Sequence, residues 1–253
     1  MQSYEERINA FKKLINEKNK IIFFGGAGTS TESGIPDFRS KDGLYNQHDV
    51  RFEEYRPEYL LSSDCLYHKP KVFYEFYKQK MDVSGFKPND CHYILSKMES
   101  DGKLLGIITQ NIDGLHQKAG SKRVYEIHGT TARCNCTKCD EEFDGKIIFE
   151  QENLIPRCPE CGGMLRPLVT LYGENLPNDF YNAQDMTYES DMLIVGGTSL
   201  TVYPAAGIVR DYPYYAKPIV IINNQETPFD KYAKIIFRES ISQVLKDALN
   251  INI

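Results

Sequence analysis

No surplus of positive charge marks this 253-residue sequence: 30 lysines and arginines stand against 35 aspartates and glutamates, a formal net charge of −5. That argues against a nucleic-acid binder held by a broad basic surface, and it does not exclude a protein partner that brings its own lysines. No apolar run approaches the ~20 residues that a bilayer-spanning helix needs. The opening MQSYEERINAFKKLINEKNK is amphipathic and mixed in charge, without the basic start, apolar middle and small-residue cleavage site of a secretion signal. The expected location is the cytoplasm. Repeats and low-complexity tracts are lacking. The seven cysteines, odd in number and without a secretion signal, argue against a disulfide framework as well.

What is present is a series of short, continuous apolar runs: Ile21–Phe24, Leu104–Ile108, Val124–Ile127, Met192–Val195, Ile219–Ile222 and Ile235–Phe237. Runs that do not alternate with polar residues fit strands buried on both faces, as in a parallel sheet. Helical patterns over Asn89–Ser100, Ala205–Tyr215 and Ser240–Asn250 lie between or after them. The alternation predicts an α/β fold, an open parallel sheet of Rossmann-like type. Two intervals break it, an aromatic-rich one from Phe38 to Lys87 and a cysteine-rich one from Gly129 to Arg166. The expected division is a sheet domain over 1–37, 88–128 and 165–253. A smaller module is then built from a helical insertion, 38–87, and a cysteine-bearing insertion, 129–164.

Five of the runs are followed at once by polar or glycine-rich stretches: GGAGTS, TQNIDGLH, HG, GGTSL and NNQETP. In a parallel sheet the carboxyl ends of the strands share one edge, where ligands bind, so these stretches converge on one site. GGAGTS has two glycines spaced to hold a pyrophosphate on backbone N–H groups, but Thr31 stands where the dinucleotide fingerprint has its third glycine. Gly34 and Pro36 then end any helix early, which turns DFR back over the cofactor and argues against simple hydride transfer. Taken alone, GxG is a tight turn; the converging loops favour the binding role.

Cys136-x-x-Cys139 and, after 18 intervening residues, Cys158-x-x-Cys161 have the spacing of a tetrahedral four-cysteine zinc site. Four thiolates leave no place for water, so the metal is expected to be structural. Cys134 reads as a spare thiol. His128 ends a strand beside Gly129 and is the best-placed base; its plain alternative is a packed histidine. His116 is expected to make a structural hydrogen bond, and His48, His68 and His92 to be packed or solvated. Asn111, Asp113, Ser199 and Asn223 sit in stretches that also form ordinary turns.

Taken together and in order, GAGTSTESGIPDFR, TQNIDGLH, HG, the paired CxxC, YGENLP, GGTSLTVYPAA and NNQETPFD resemble the sirtuins of bacterial type, NAD-dependent protein deacylases, over about Ile21 to Leu245. The resemblance implies a Rossmann-like domain with a small module of helices and zinc, and a mobile flap after the glycine loop. Ala27, Thr31, Phe38 and Arg39 would line the NAD site; Gln110 would contact the ribose; Ile112 and Asp113 would hold the nicotinamide carboxamide. Thr198, Ser199 and Asn223 would take the phosphate and adenosine end, and a residue near Ser240 the adenine. Tyr172-Gly173-Glu174 and Thr201-Val202-Tyr203 would pair with an extended peptide carrying the acetylated lysine, in a cleft between the two domains. Nicotinamide would leave through an oxocarbenium-like state, the acyl oxygen would attack, and His128 would then act as base on a ribose hydroxyl, with Asn111 positioning water or ribose. The products would be nicotinamide, free lysine and acyl-ADP-ribose. Mono-ADP-ribosyl transfer, or a catalytically silent NAD- and zinc-binding module, are the rival readings. Thr29 and the TLYGE run depart from the family's usual apolar choices. In sirtuins that take succinyl or malonyl lysine, a Tyr and an Arg three apart bind the acyl carboxylate; here Tyr77 is followed by Lys80, which lacks the planar fork, so acetyl is the expected preference.

Overall fold

The computed structural model describes residues 2–38, 40, 43–46 and 49–251. Its strands are β1 (Ile21–Gly25), β2 (Leu104–Thr109), β3 (Val124–Glu126), β4 (Gly129–Cys136), β5 (Glu142–Asp144), β6 (Leu165–Val169), β7 (Met192–Gly196), β8 (Ile219–Ile222) and β9 (Ile235–Phe237). The six apolar runs become one six-stranded sheet in the order β3-β2-β1-β7-β8-β9, with every pair parallel.

Burial on both faces explains why those runs do not alternate. Ile21 and Phe23 point to one face and Ile22 and Phe24 to the other. The first face is covered by Phe11 and Ile15 of the helix Tyr4–Glu17, Ile94 and Leu95 of Asp90–Ser100, and Val244 and Leu245 of Ile241–Leu249. The second is covered by Phe180 and Met186 of Asn178–Glu189 and by Ile208 and Val209 of Ala206–Arg210. Each fully buried side chain of this kind contributes about 1.5–3 kcal/mol. The last of these helices ends at Arg210, short of the expected Tyr215. Pro213 is the reason, since it disfavours a helical conformation at the residue before it.

The chain leaves β1 toward β2 and β3 on one side and returns to β7 on the other. This reversal opens a crevice outside the carboxyl ends of β1 and β7, where Gly25 lies in register with Gly196.

The two insertions share a separate core. Leu66, Phe73, Tyr74 and Tyr77 of the helical insertion pack against Cys136, Cys158 and Leu165 of the cysteine-bearing one, and the Tyr74 hydroxyl donates to the Leu165 carbonyl. A three-stranded antiparallel sheet, β5-β4-β6, forms its floor. β6 therefore belongs with the small sheet, because its register with β4 runs from Leu165 opposite Cys136 to Val169 opposite Gly129. β6 starts directly after the expected boundary at 164. Among the described residues, no helix is long and apolar enough to cross a membrane.

Candidate active site and zinc centre

The glycine loop leaves β1 and is stitched to the end of β7: Gly26 N–H donates to Gly196 O at 3.2 Å and Gly28 N–H to Gly197 O at 2.8 Å. Two turns of 3-10 helix follow, Ala27–Thr29 and Thr31–Ser33, closed by Gly34 at φ +91°. The stitch needs glycine on both sides. A Cβ on Gly28 would lie 2.6 Å from Gly197 Cα, and Gly197 itself is left-handed at φ +61°. The loop is thereby held against a cleft of about 590 Å³, which Gly26, Ala27 and Gly28 line.

Asn111 follows β2 on the cleft's floor. Its amide donates to the Thr29 hydroxyl at 2.9 Å and to the Ser30 hydroxyl at 3.0 Å. Ser30 in turn donates to Asp113 at 2.7 Å, and the other Asp113 oxygen accepts from Leu115 N–H at 2.9 Å. The Thr29 hydroxyl donates to Gly26 O at 2.7 Å. Thr29, the departure from an apolar residue, thus adds a hydrogen bond that orients Asn111. Gln110 reaches across to the Thr198 hydroxyl at 2.9 Å.

His128 lies at the end of β3, half-buried and facing the cleft. Its Nδ1 sits 3.1 Å from the Gln110 carbonyl oxygen. A carbonyl only accepts, so Nδ1 carries the proton of this contact and Nε2 is left as the basic nitrogen. Gly129, at φ +76°, lets β4 depart at once: a Cβ there would fall 2.2 Å from Leu168 O.

The structure brings together most of the expected residues. Ala27, Thr31, Phe38, Gln110, Asn111, Ile112, Thr198, Ser199, Asn223 and Ser240 all line the cleft together with His128. Phe38 packs edge-on to Tyr45, with ring centroids 5.4 Å apart. Asp113 does not line the cleft, since its carboxylate is buried and spent on Ser30 and the Leu115 amide. Arg39 lies outside the described residues, as does His48. Of the expected peptide-pairing backbone, Tyr172 is already used: its N–H donates to Leu61 O at 3.0 Å and its C=O accepts from Ser63 N–H at 3.1 Å. The His116 imidazole makes no hydrogen bond to any described residue. Both of its ring nitrogens are buried without a partner, and the ring packs against Phe23 and against His92, 4.7 Å away.

Sequence reasoning missed Glu32, which lines the cleft and accepts from the hydroxyls of Ser240 and Ser242. It also missed Asn89, whose side chain holds Thr29 O at 2.8 Å. Both partnerships join residues far apart in sequence, and no local pattern announces them.

The Sγ atoms of Cys136, Cys139, Cys158 and Cys161 all lie within 4.8 Å of one another. Cys136–Cys161 and Cys139–Cys161 are 3.4 Å apart and Cys139–Cys158 3.8 Å. A tetrahedral zinc with bonds of about 2.3 Å has sulfur–sulfur edges of about 3.8 Å, so the cluster fits one zinc. Gly163 makes room, since a Cβ there would meet Cys136 Sγ at 2.7 Å. Cys134 stands apart, its Sγ directed to Asp144 O and its thiol pushed up to about 11 by burial. β4 carries the chain from Gly129, next to His128, to Cys136. Eight strand residues at about 3.3 Å each put the metal roughly 20 Å from the base.

With this geometry in hand, comparison with known proteins is direct. The model of the Sir2 family matches residues 26–204. The chain belongs to the Sir2 family. A relative named NAD-dependent protein deacetylase from Clostridium acetobutylicum is 46% identical over 96% of this chain and 98% of its own. One of the same name from Clostridium tetani is 47% identical over 92% and 94%. Among solved structures, a Sir2 variant with deacetylated p53 peptide and 3′-O-acetyl ADP-ribose superposes with a TM-score of 0.88 at 33% identity, covering 96% of this chain and 97% of that one. A Sir2–p53 peptide–NAD+ complex gives 0.83 at 34%, covering 99% and 98%.

Proposed function

We infer that this protein is an NAD-dependent protein-lysine deacetylase that takes an acetylated protein or peptide lysine, with NAD as co-substrate and one structural zinc. The overall reaction joins acetyl-lysine, NAD and water to give free lysine, nicotinamide and O-acetyl-ADP-ribose. The observation that carries the reading is His128: a half-buried imidazole, oriented by the Gln110 carbonyl, in a cleft whose rim is a glycine cradle.

The roles of this chain's residues follow from their places. Thr198 and Ser199 offer hydroxyl donors for a pyrophosphate beside the glycine stitch, with Asn223 and Ser240 toward the adenosine. Phe38, Gln110 and Ile112 line the other half, and Arg39 belongs to the same segment by its place in the motif. Asp113 acts on the nicotinamide side indirectly, by fixing Ser30 and the turn at Leu115. Bound NAD supplies an electrophilic ribose carbon when nicotinamide departs. His128 Nε2 takes the proton of a ribose hydroxyl, which frees that oxygen to attack the acyl carbon. Asn111, held by Thr29 and Ser30, positions a water or ribose oxygen beside it.

The sheet domain is proposed to span 1–37, 88–128 and 170–253, with the small module made from 38–87 and 129–169. The peptide is placed between them against Gly173, Glu174 and the 201–203 segment. The protein is placed in the cytoplasm, where acyl-lysine proteins and NAD meet.

The test is an incubation with an acetyl-lysine peptide, with and without NAD, read by mass spectrometry. Strictly NAD-dependent loss of acetyl with formation of O-acetyl-ADP-ribose is expected. A peptide that gains ADP-ribose would point to a transferase, and an unchanged peptide to a silent binding module.

A further inference from the structure

Glu32 occupies the second 3-10 turn of the cofactor loop, and its two carboxylate oxygens accept from two different serines: Oε1 from Ser240 and Oε2 from Ser242. Each serine oxygen in turn accepts a backbone amide. Ser240 Oγ takes Gln243 N–H at 3.3 Å, and Ser242 Oγ takes Cys91 N–H at 3.1 Å. Those amides belong to the first turns of two helices, Ile241–Leu249 and Asp90–Ser100. Both hydroxyls are therefore polarised by the positive ends of helices, and an anionic acceptor suits them better than a neutral one.

The loop's other ties run elsewhere. Gly26 and Gly28 bind the end of β7, Asn89 holds Thr29, and Asn111 holds Thr29 and Ser30. Glu32 carries the tie to the C-terminal helix. It lines the cleft together with Ser240 and Ile241, whereas Ser242 is buried and does not line it.

We propose that Glu32 is a positioning residue for the adenosine half of NAD: by clamping the cofactor loop to the N-terminus of the C-terminal helix, it sets the width of the cleft where the adenosine lies. The proposal rests on the reading of the cleft as an NAD site. It assigns Glu32 no contact with the reacting atoms, so its loss should weaken NAD capture and leave the chemical step alone.

The test uses the full chain as wild type, Glu32→Ala, Glu32→Gln, Ser242→Ala and the double variant Glu32→Ala/Ser242→Ala. Two readouts are taken: steady-state kinetics on an acetyl-lysine peptide, and calorimetric binding of ADP-ribose, which needs no turnover. Loss of charge-assisted hydrogen bonds should raise KM for NAD about tenfold in Glu32→Ala and about threefold in Ser242→Ala. ADP-ribose affinity should fall by the same factors. kcat and KM for the peptide should stay within about twofold, because a group remote from the reacting atoms removes binding rather than transition-state stabilisation. The double variant should be no worse than Glu32→Ala, since Ser242 acts through Glu32. Glu32→Gln is isosteric and should recover part of the loss; it carries the comparison if the alanine variant does not fold. Unchanged KM for NAD and unchanged ADP-ribose binding in Glu32→Ala would overturn the clamp, as would a fall in kcat at constant KM, or additive losses in the double variant. A wild-type protein that binds ADP-ribose without deacetylating would fail the proposed function instead, and the calorimetric arm would still decide the role of Glu32.

Discussion

The sheet-edge cleft and the cysteine cluster are built by opposite means. The cleft is assembled from side chains that meet across long separations: Asn111 with Thr29, Gln110 with Thr198, Glu32 with Ser240. Each contact is a single neutral or singly charged hydrogen bond, and the sheet beneath holds its shape without it. The cysteine cluster gathers four cysteine sulfurs within 4.8 Å in a module with a small core of its own. Ionised as metal ligands, four such groups repel one another unless a cation lies between them. The lesson is that the first region should fail gradually and in rate, residue by residue, whereas the second should fail all at once and in shape. The predictions are ways to break that contrast.

The largest effect expected is metal removal. Stripping zinc, or making Cys158→Ser, should melt the small module and abolish deacetylation together, with one zinc per chain by metal analysis before treatment. Full activity in zinc-free protein with a melted module would end the contrast. Next is His128→Ala, which should cut kcat by about 10²–10⁴ with circular dichroism and thermal midpoint unchanged.

Third is acid. Burial pushes the His92 imidazole down to about 4, against the pull of Asp113, and pushes His116 down to about 3, helped by the neighbouring His92. Both lie below the value of about 6.5 that an unfolded histidine shows. Between about pH 6.5 and these folded values the unfolded chain binds protons that the native chain refuses, so stability falls as pH drops through that window. The loss is roughly 3 kcal/mol for His92 alone. Denaturant midpoints between pH 7 and 4 check this, and His92→Asn should flatten the slope.

Fourth is acyl choice. Tyr77 is stacked between Phe73 and Phe149 in the small core and does not line the cleft, nor does Lys80. Among the described residues, no lysine or arginine lines it, while Glu32, Asp37 and Glu174 do. Acetyl should exceed succinyl lysine about tenfold or more in kcat/KM, the size of one lost charge pairing. A ratio favouring succinyl would require a carboxylate partner, and Lys80→Ala would then test it. The smallest effect is Thr29→Val, which removes one hydrogen bond to Asn111 and should cost about fivefold in kcat.

The sequence carried much of this in readable form. Each of the six apolar runs became a strand of the main sheet, because double-sided burial leaves an unbroken apolar signature. The thiolate quartet was readable because a metal fixes ligand spacing locally. β4, β5 and β6 were not: β4 and β5 are partly exposed without a continuous apolar run, and the buried alternating face of β6, Leu165, Pro167 and Val169, is short and interrupted by a proline. Asp113 and His116 show a second limit. The motif placed them beside the site, but only the fold reveals that Asp113 is occupied by Ser30 and that His116 is buried against His92. Glu32 shows a third, because its partners lie 208 and 210 residues away.

The central claim is that His128 supplies the base after nicotinamide has left. A single-turnover quench of His128→Ala with acetyl-lysine peptide and labelled NAD tests it most directly, by timing nicotinamide release against the appearance of free lysine. The account predicts that nicotinamide release persists while free lysine is delayed by about 10²-fold or more. If both steps slow together, or free lysine appears at the wild-type rate, His128 is not that base.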